Sequence, residues 1–190
     1  AVNAEAGAIA QRFPRARVLA GAEATAARVL ALAPRAAWIH FAGHGAWQPG
    51  IPEASALRLA DRWVTAAELA AGGLAARWVS LSACQSARSL ASGGEEWFGM
   101  PRTLLLAGAG AVVASQWDIA DADAAELAVT LYDGLSAGLP PGEALRRAQV
   151  ARRRVGVHPM RWAGFVQLAG PAMQAGFGSR IHPARTRGMV

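Results

Sequence analysis

Short apolar runs of strand length recur along the chain, with segments of helical spacing between them. Ala16–Ala20 (ARVLA), Ala37–Phe41 (AWIHF), Trp78–Ala83 (WVSLSA), Ala111–Trp117 (AVVASQW) and Gly164–Leu168 (GFVQL) show no polar alternation. Runs of this kind predict strands buried on both faces, as in a parallel sheet covered by helices. The intervening helices carry legible punctuation. Thr65-Ala-Ala-Glu68 is a capping box with Gly72-Gly73 as its stop, and Pro140-Pro141 opens a helix whose Ala144, Ala148, Ala151 and Val155 fall at helical spacing. Leu127 and Leu131 mark another buried helix face that ends near Gly138. Strand–helix alternation of this kind predicts an α/β domain with a doubly wound, mainly parallel sheet and helices on both faces. Leu57–Ala60 and Arg62–Thr65, bracketing Asp61, predict a small hairpin outside that sheet.

Composition narrows the class. With 190 residues, 53% of them hydrophobic and 17% charged, the chain is long enough for one well-filled core and too apolar for disorder. It has no unbroken apolar stretch of the roughly 18 residues that a membrane span needs. AVNAEAG at the start lacks the basic and apolar regions of a secretory signal, and one cysteine excludes an internal disulfide, so a cytoplasmic setting is expected. The missing initiator Met leads us to expect a piece of a longer polypeptide. The segment from residue 172 to 190, with its scattered Gly, Arg and Pro, is expected to be a flexible tail.

Net charge is +6, with all 19 basic residues Arg. From Arg146 onward there are nine Arg and no acid. A basic end of this kind invites a nucleic-acid reading. The densest run, Arg152-Arg153-Arg154, instead closes a helix, where cations suit the dipole, and no aromatic interleaving or recognition motif accompanies it. A solvated helix end is the preferred reading.

Candidate chemistry lies at two strand ends, where open parallel sheets gather function. The strand through Trp38–Ala42 is expected to break at Gly43-His44-Gly45, leaving the His44 imidazole uncovered. The strand Trp78–Ala83 delivers Cys84, the only thiol, where the chain leaves the sheet. A lone buried Cys is commonly a small hydrophobe and a lone His a turn residue. If the two strands are neighbours, thiol and imidazole meet on one rim and form a nucleophile–base pair. His40 is expected to be a hydrogen-bonded residue beneath His44, not a metal ligand, since no carboxylate or cysteine cluster completes a site. Gly108-Ala109-Gly110 precedes a strand where a dinucleotide fingerprint would follow one, and neither a Walker loop nor a G-x-S-x-G elbow occurs. Glu95 and Glu96 are expected to cap the helix running into Leu104. Asp118, Asp121 and Asp123 suit the start of the helix through Leu127.

The ordered blocks HFAGHG, LSACQSA, GEEWFGMPRTLLLAGAGAVVASQWDIAD, ALRRAQ and HPMRWAGFVQLAG resemble the CHAT domain over about residues 16–171. That family belongs among caspase-like cysteine peptidases related to separases and caspases. The resemblance implies His44 as catalytic histidine, Cys84 as nucleophile, a protein or peptide substrate, and no metal or organic cofactor. Residues 1–171 would form the C-terminal portion of the domain, with an earlier strand and helix upstream. It further implies attachment to helical repeats in the same polypeptide and control by a partner. Backbone N–H groups of Gly45 and Cys84 would serve the oxyanion. By analogy with the tryptophan–aspartate segment of separases, Asp121 and Asp123 would receive a basic substrate side chain; Trp47, by its own place in the loop just beyond His44, is a candidate pocket wall. The chain departs from basic-specific relatives in carrying Ser82, not Asp, two residues before the nucleophile. The alternative is an inactive caspase-like scaffold or interaction module.

Overall fold

The structure, a computed structural model, describes residues 2–46, 48, 51–84 and 99–170, with backbone alone at Val2, Pro52, Ala83 and Cys84. The elements are α1 (Val2–Ala10), α2 (Ala26–Leu32), β1 (Trp38–Ala46), β2 (Ala56–Arg58), β3 (Trp63–Thr65), α3 (Ala66–Ala71), β4 (Trp78–Cys84), α4 (Gly99–Leu106), β5 (Ala111–Ser115), α5 (Asp121–Ser136), α6 (Pro141–Arg154) and β6 (Phe165–Ala169). One six-stranded sheet has the order β3-β2-β1-β4-β5-β6. Its centre is parallel: β1 pairs with β4, and β4 with β5. The flanking pairings β1–β2, β2–β3 and β5–β6 are antiparallel. Four of the six strands therefore run the same way, and the sheet is mainly parallel as expected.

The unalternating strands bury both faces. Trp78, Ala111 and Val113 pack with Ile9, Leu127, Leu131, Tyr132 and Ala148, which places α1, α5 and α6 on one face. Val79, Leu81, Val112 and Ala114 pack with Ala26, Leu69, Met100 and Leu104, which places α2, α3 and α4 on the other. Each fully buried Val or Leu of this kind contributes roughly 1.5–3 kcal/mol. The capping box closes α3 as expected: Thr65 accepts from the Glu68 N–H and the Glu68 carboxylate accepts from the Thr65 N–H. Gly138, at φ +84°, follows α5 as its stop.

Several expectations need correction. The hairpin is not outside the sheet: β2 pairs Leu57 and Ala56 with Gly45 and Ala46, extending the sheet edge. At its tip, Asp61 accepts hydrogen bonds from the N–H groups of Ala26 and Arg62, so the turn caps the start of α2 from a distance. On α6 the buried row is Ala144, Leu145 and Ala148, while Ala151 and Val155 are exposed. The row Ala144–Ala148 continues to residue 152, not 151, because neighbours on a helix face recur four residues apart.

Ala16–Ala20 is also not a strand. Apart from an isolated bridge at Ala16, it contributes no strand to the sheet. Ladder hydrogen bonds need a neighbour at strand spacing, and here a cavity of about 280 Å³ intervenes, lined by Ala16–Ala20 on one side and Ile39–Ala42 of β1 on the other. Successive β1 residues face opposite sides of the sheet, so a cavity lined by Ile39, His40, Phe41 and Ala42 wraps the outer edge of β1. Among the described residues, the outer pairing of β1 is confined to Gly45 and Ala46.

The glycines at 108 and 110 have a packing role, which explains their fingerprint-like spacing. Gly108 has φ +112°, and a Cβ there would meet the Leu74 carbonyl oxygen at 2.5 Å; one at Gly110 would meet the Arg77 oxygen at 2.9 Å. These contacts let the α4–β5 turn lie against the segment entering β4, joined by Leu74 N–H to Ala107 O and Gly110 N–H to Ala76 O. Gly108→Ala is expected to cost at least about 2 kcal/mol through backbone strain and collision, read as a lower urea midpoint at unchanged m-value.

Candidate functional site

β1 does not break at Gly43. The strand continues through Gly45 to Ala46 because both of its edges still find partners there: Gly43 and His44 on β4, Gly45 and Ala46 on β2. The parallel ladder runs from Trp38↔Trp78 to His44↔Cys84. The last described rung therefore pairs the only cysteine with His44, at the carboxyl ends of neighbouring strands. In-register positions on adjacent strands are about 4.8 Å apart and share a face. His44 is exposed, and Gly45 is buried within β1 opposite Leu57. Backbone alone is described for Cys84, and Trp47, Glu95 and Glu96 lie outside the described residues.

Four rungs below, His40 is a hydrogen-bonded residue, as expected. Its Nε2 lies 3.1 Å from Glu5 Oε1 and its Nδ1 lies 3.3 Å from the Tyr132 hydroxyl. Among the described residues, no three His, Cys, Asp or Glu side chains gather as a metal site would require. Glu5 went unrecognised in the sequence, although it is the sole acid on a helix made mostly of Ala, Gly, Val and Ile.

The acids after β5 divide. Ala120, not an Asp, occupies the N-cap of α5, and no side chain caps it. Asp121 is exposed in the first turn. Asp123 is only 3% exposed, and its two carboxylate oxygens accept from Arg152 Nη2 at 2.9 Å and Arg161 Nε at 2.8 Å. The Arg161 hydrogen bond, followed by the charges of both arginines, holds this carboxyl below the usual carboxylate range against the effect of burial. Buried and already paired with two of this chain's own arginines, Asp123 ties α5 to the end of α6 and the approach to β6.

Its partners were missed in the sequence because Arg152 read as part of a solvated run. The i, i+4 row from Ala144 through Ala148 carries Arg152 inward, where it also pairs with Glu126. Arg146 and Arg147 both pair with Glu143. Four of the six described arginines from Arg146 onward are thus answered by this chain's own acids. Trp117 clamps the same region: its indole N–H donates to the Met160 carbonyl at 2.7 Å, and Gly164 lies so close to the ring that a Cβ would be 2.8 Å from it.

A doubly wound sheet with a parallel centre, and a histidine and cysteine paired where two central strands end, defines a caspase-like α/β domain. The chain belongs to the CHAT domain family, whose model matches residues 1–171. That family is a caspase-like peptidase family. No curated protein matches the sequence. No helix among the described residues is long and apolar enough to cross a membrane.

The Asp123 cluster sets an acid sensitivity. Folded Asp123 takes up its proton only below the pH at which the unfolded carboxyl does, so its stabilisation is complete above the ordinary value of about 4 and disappears as pH falls through the folded value. Asp123→Asn is expected to lose about 3 kcal/mol at neutral pH by stranding Arg152. Urea unfolding at neutral pH and again well below the ordinary value should show the gap between wild type and variant closing in acid.

Proposed function

We propose that this domain is a cysteine endopeptidase hydrolysing peptide bonds of a protein substrate, with Cys84 as nucleophile and His44 as proton carrier. The observation that carries this reading is the rung His44↔Cys84 at the carboxyl ends of two parallel strands, with His44 exposed. A neutral thiol is a weak nucleophile, and an imidazole within reach removes its proton. The sulfur adds to the scissile carbonyl carbon, and the oxyanion that forms is held by N–H groups of Gly45 and Cys84, which need to lie at roughly 2.7–3.1 Å from it. Collapse breaks the C–N bond as His44 gives its proton to the leaving amine. A water molecule, deprotonated by His44, then hydrolyses the thioester and returns the thiol. These steps need no metal or organic cofactor.

Asp121, in the first turn of α5, is the acid we assign to a basic substrate side chain, and Trp47 the wall of that pocket. The wider reading includes a cytoplasmic setting and control by a partner or by helical repeats in the same polypeptide. The apolar cavity along β1 supports a second reading for the chain by itself, an inactive scaffold until an extended segment closes that edge. The earlier strand implied by the family resemblance is the segment we assign to it; residues 172–190, expected to be a tail, lie outside the described residues.

Covalent labelling by a peptide bearing a thiol-reactive warhead tests the central claim in the natural polypeptide under activating conditions. Cys84→Ala should abolish labelling and cleavage, and His44→Ala should lower turnover by about 10²–10⁴-fold. Cleavage that persists in Cys84→Ala refutes the reading. Asp121→Asn should weaken cleavage after basic residues more than after neutral ones, measured by comparing kcat/KM for paired peptides.

A further inference from the structure

Beneath the His44↔Cys84 rung, a buried polar chain crosses four elements. Glu5 comes from α1, His40 from β1, Tyr132 from α5 and Ser80 from β4. The side chains of Glu5 and His40 are each 4% exposed, and Tyr132 is fully buried. Glu5 Oε1 lies 3.1 Å from His40 Nε2, and the Tyr132 hydroxyl 3.3 Å from Nδ1. The tyrosine ring stands edge-on to the imidazole at 5.3 Å, and the side chains of Trp78 and Ser80 both approach the same phenolic oxygen. One assignment satisfies the chain: Nε2–H donates to the Glu5 carboxylate, and Tyr132 O–H donates to Nδ1. Burial keeps Tyr132 protonated far above its ordinary range, so its donor is retained.

Such a chain is an odd tenant of an apolar cluster that also holds Ile9, Trp78 and Leu131, with Phe13 and Trp38 against it. Replacing buried ionisable partners by apolar residues is often neutral or stabilising, and their best-attested use is to fix register. Register is also what the apolar pattern here leaves open. A slip of one residue would exchange the two faces, but a slip of two keeps every face intact. In the slip that sets His44 beside Ser82, Phe41 would still meet Val79 and Gly43 would meet Leu81, with Ile39 opposite Arg77 just ahead of β4. His40 and Ser80 are a rung of the same ladder as His44 and Cys84. Tyr132, fixed on α5, reaches both members of that rung only in the observed register.

We propose that Glu5, His40, Tyr132 and Ser80 form a register pin that sets β1 against β4 and so places His44 beside Cys84. His40 sits four residues, about 13 Å, below His44, so it is a positioning residue and touches no substrate. The consequence for turnover rests on the peptidase reading; the effect on register does not.

The test uses the paired apolar variant Glu5→Leu/His40→Leu, with Tyr132→Phe as a milder second variant should the first fail to fold, and Glu5→Gln as the conservative one. The apolar variants should retain their Tm while kcat falls at least about 10-fold at nearly constant KM, since small misplacements of reacting groups cost rate more than binding. Glu5→Gln, which still accepts from Nε2–H, should restore kcat to near the wild-type value. Register is read without catalysis in a His44→Cys background, where dibromobimane fluoresces on bridging the new thiol to Cys84, the chain's only native one. Bridging should slow at least 10-fold once the pin is removed, the scale of a misplaced reacting pair. Unchanged bridging in the apolar variants, or unchanged kcat with an active wild type, overturns the pin. An inactive wild type whose bridging still depends on Glu5 and His40 upholds the pin and removes the peptidase reading instead.

Discussion

Parallel pairing between Trp38–His44 and Trp78–Cys84 is the constraint on which the rest of the structure depends. It forms the spine of the sheet, separates the two hydrophobic layers and carries two residues 40 positions apart to one rung. Neither layer would suffice by itself. The α1, α5 and α6 layer rests on Trp78, Ala111 and Val113, and the α2, α3 and α4 layer on Val79, Leu81, Val112 and Ala114. Both therefore grip β4 and β5 from opposite sides, and β1 is held to them through its ladder with β4.

Much of this was legible in the sequence where the signal was local. The unalternating runs became β1, β4, β5 and β6 to within a few residues, and the Thr65–Glu68 capping box formed as its spacing required. Strand ends were less legible, because Gly43 and Gly45 look like breakers until one knows that β2 and β4 both offer them partners. The ARVLA run shows the opposite failure. Its composition suits a buried strand, but a strand exists only where a neighbour completes its hydrogen bonds.

Charged groups were the hardest to read, since their partners lie far away along the chain. Asp123 meets Arg152 and Arg161, 29 and 38 residues on, and Glu5 meets His40 across 35. Nothing local distinguishes Arg152 from Arg153 or Arg154 except helical phase, which turns one inward and leaves the others exposed. The catalytic candidates stood out for a different reason: one cysteine in the whole chain and one histidine between glycines are rare enough to notice, whereas their common rung is a property of the sheet alone.

The cavity beside β1 makes one flank of the domain softer than the other. Its walls are mostly apolar side chains from both layers, with Asn3, Arg17, His40 and Arg58 among them, and among the described residues β1 has outer ladder partners only at Gly45 and Ala46. Backbone groups that lack a ladder partner exchange their hydrogens through small local openings. The N-terminal side of the sheet, with α1 and the segment after it, would exchange first, while the β4–β5 side, packed on both faces, would hold longest.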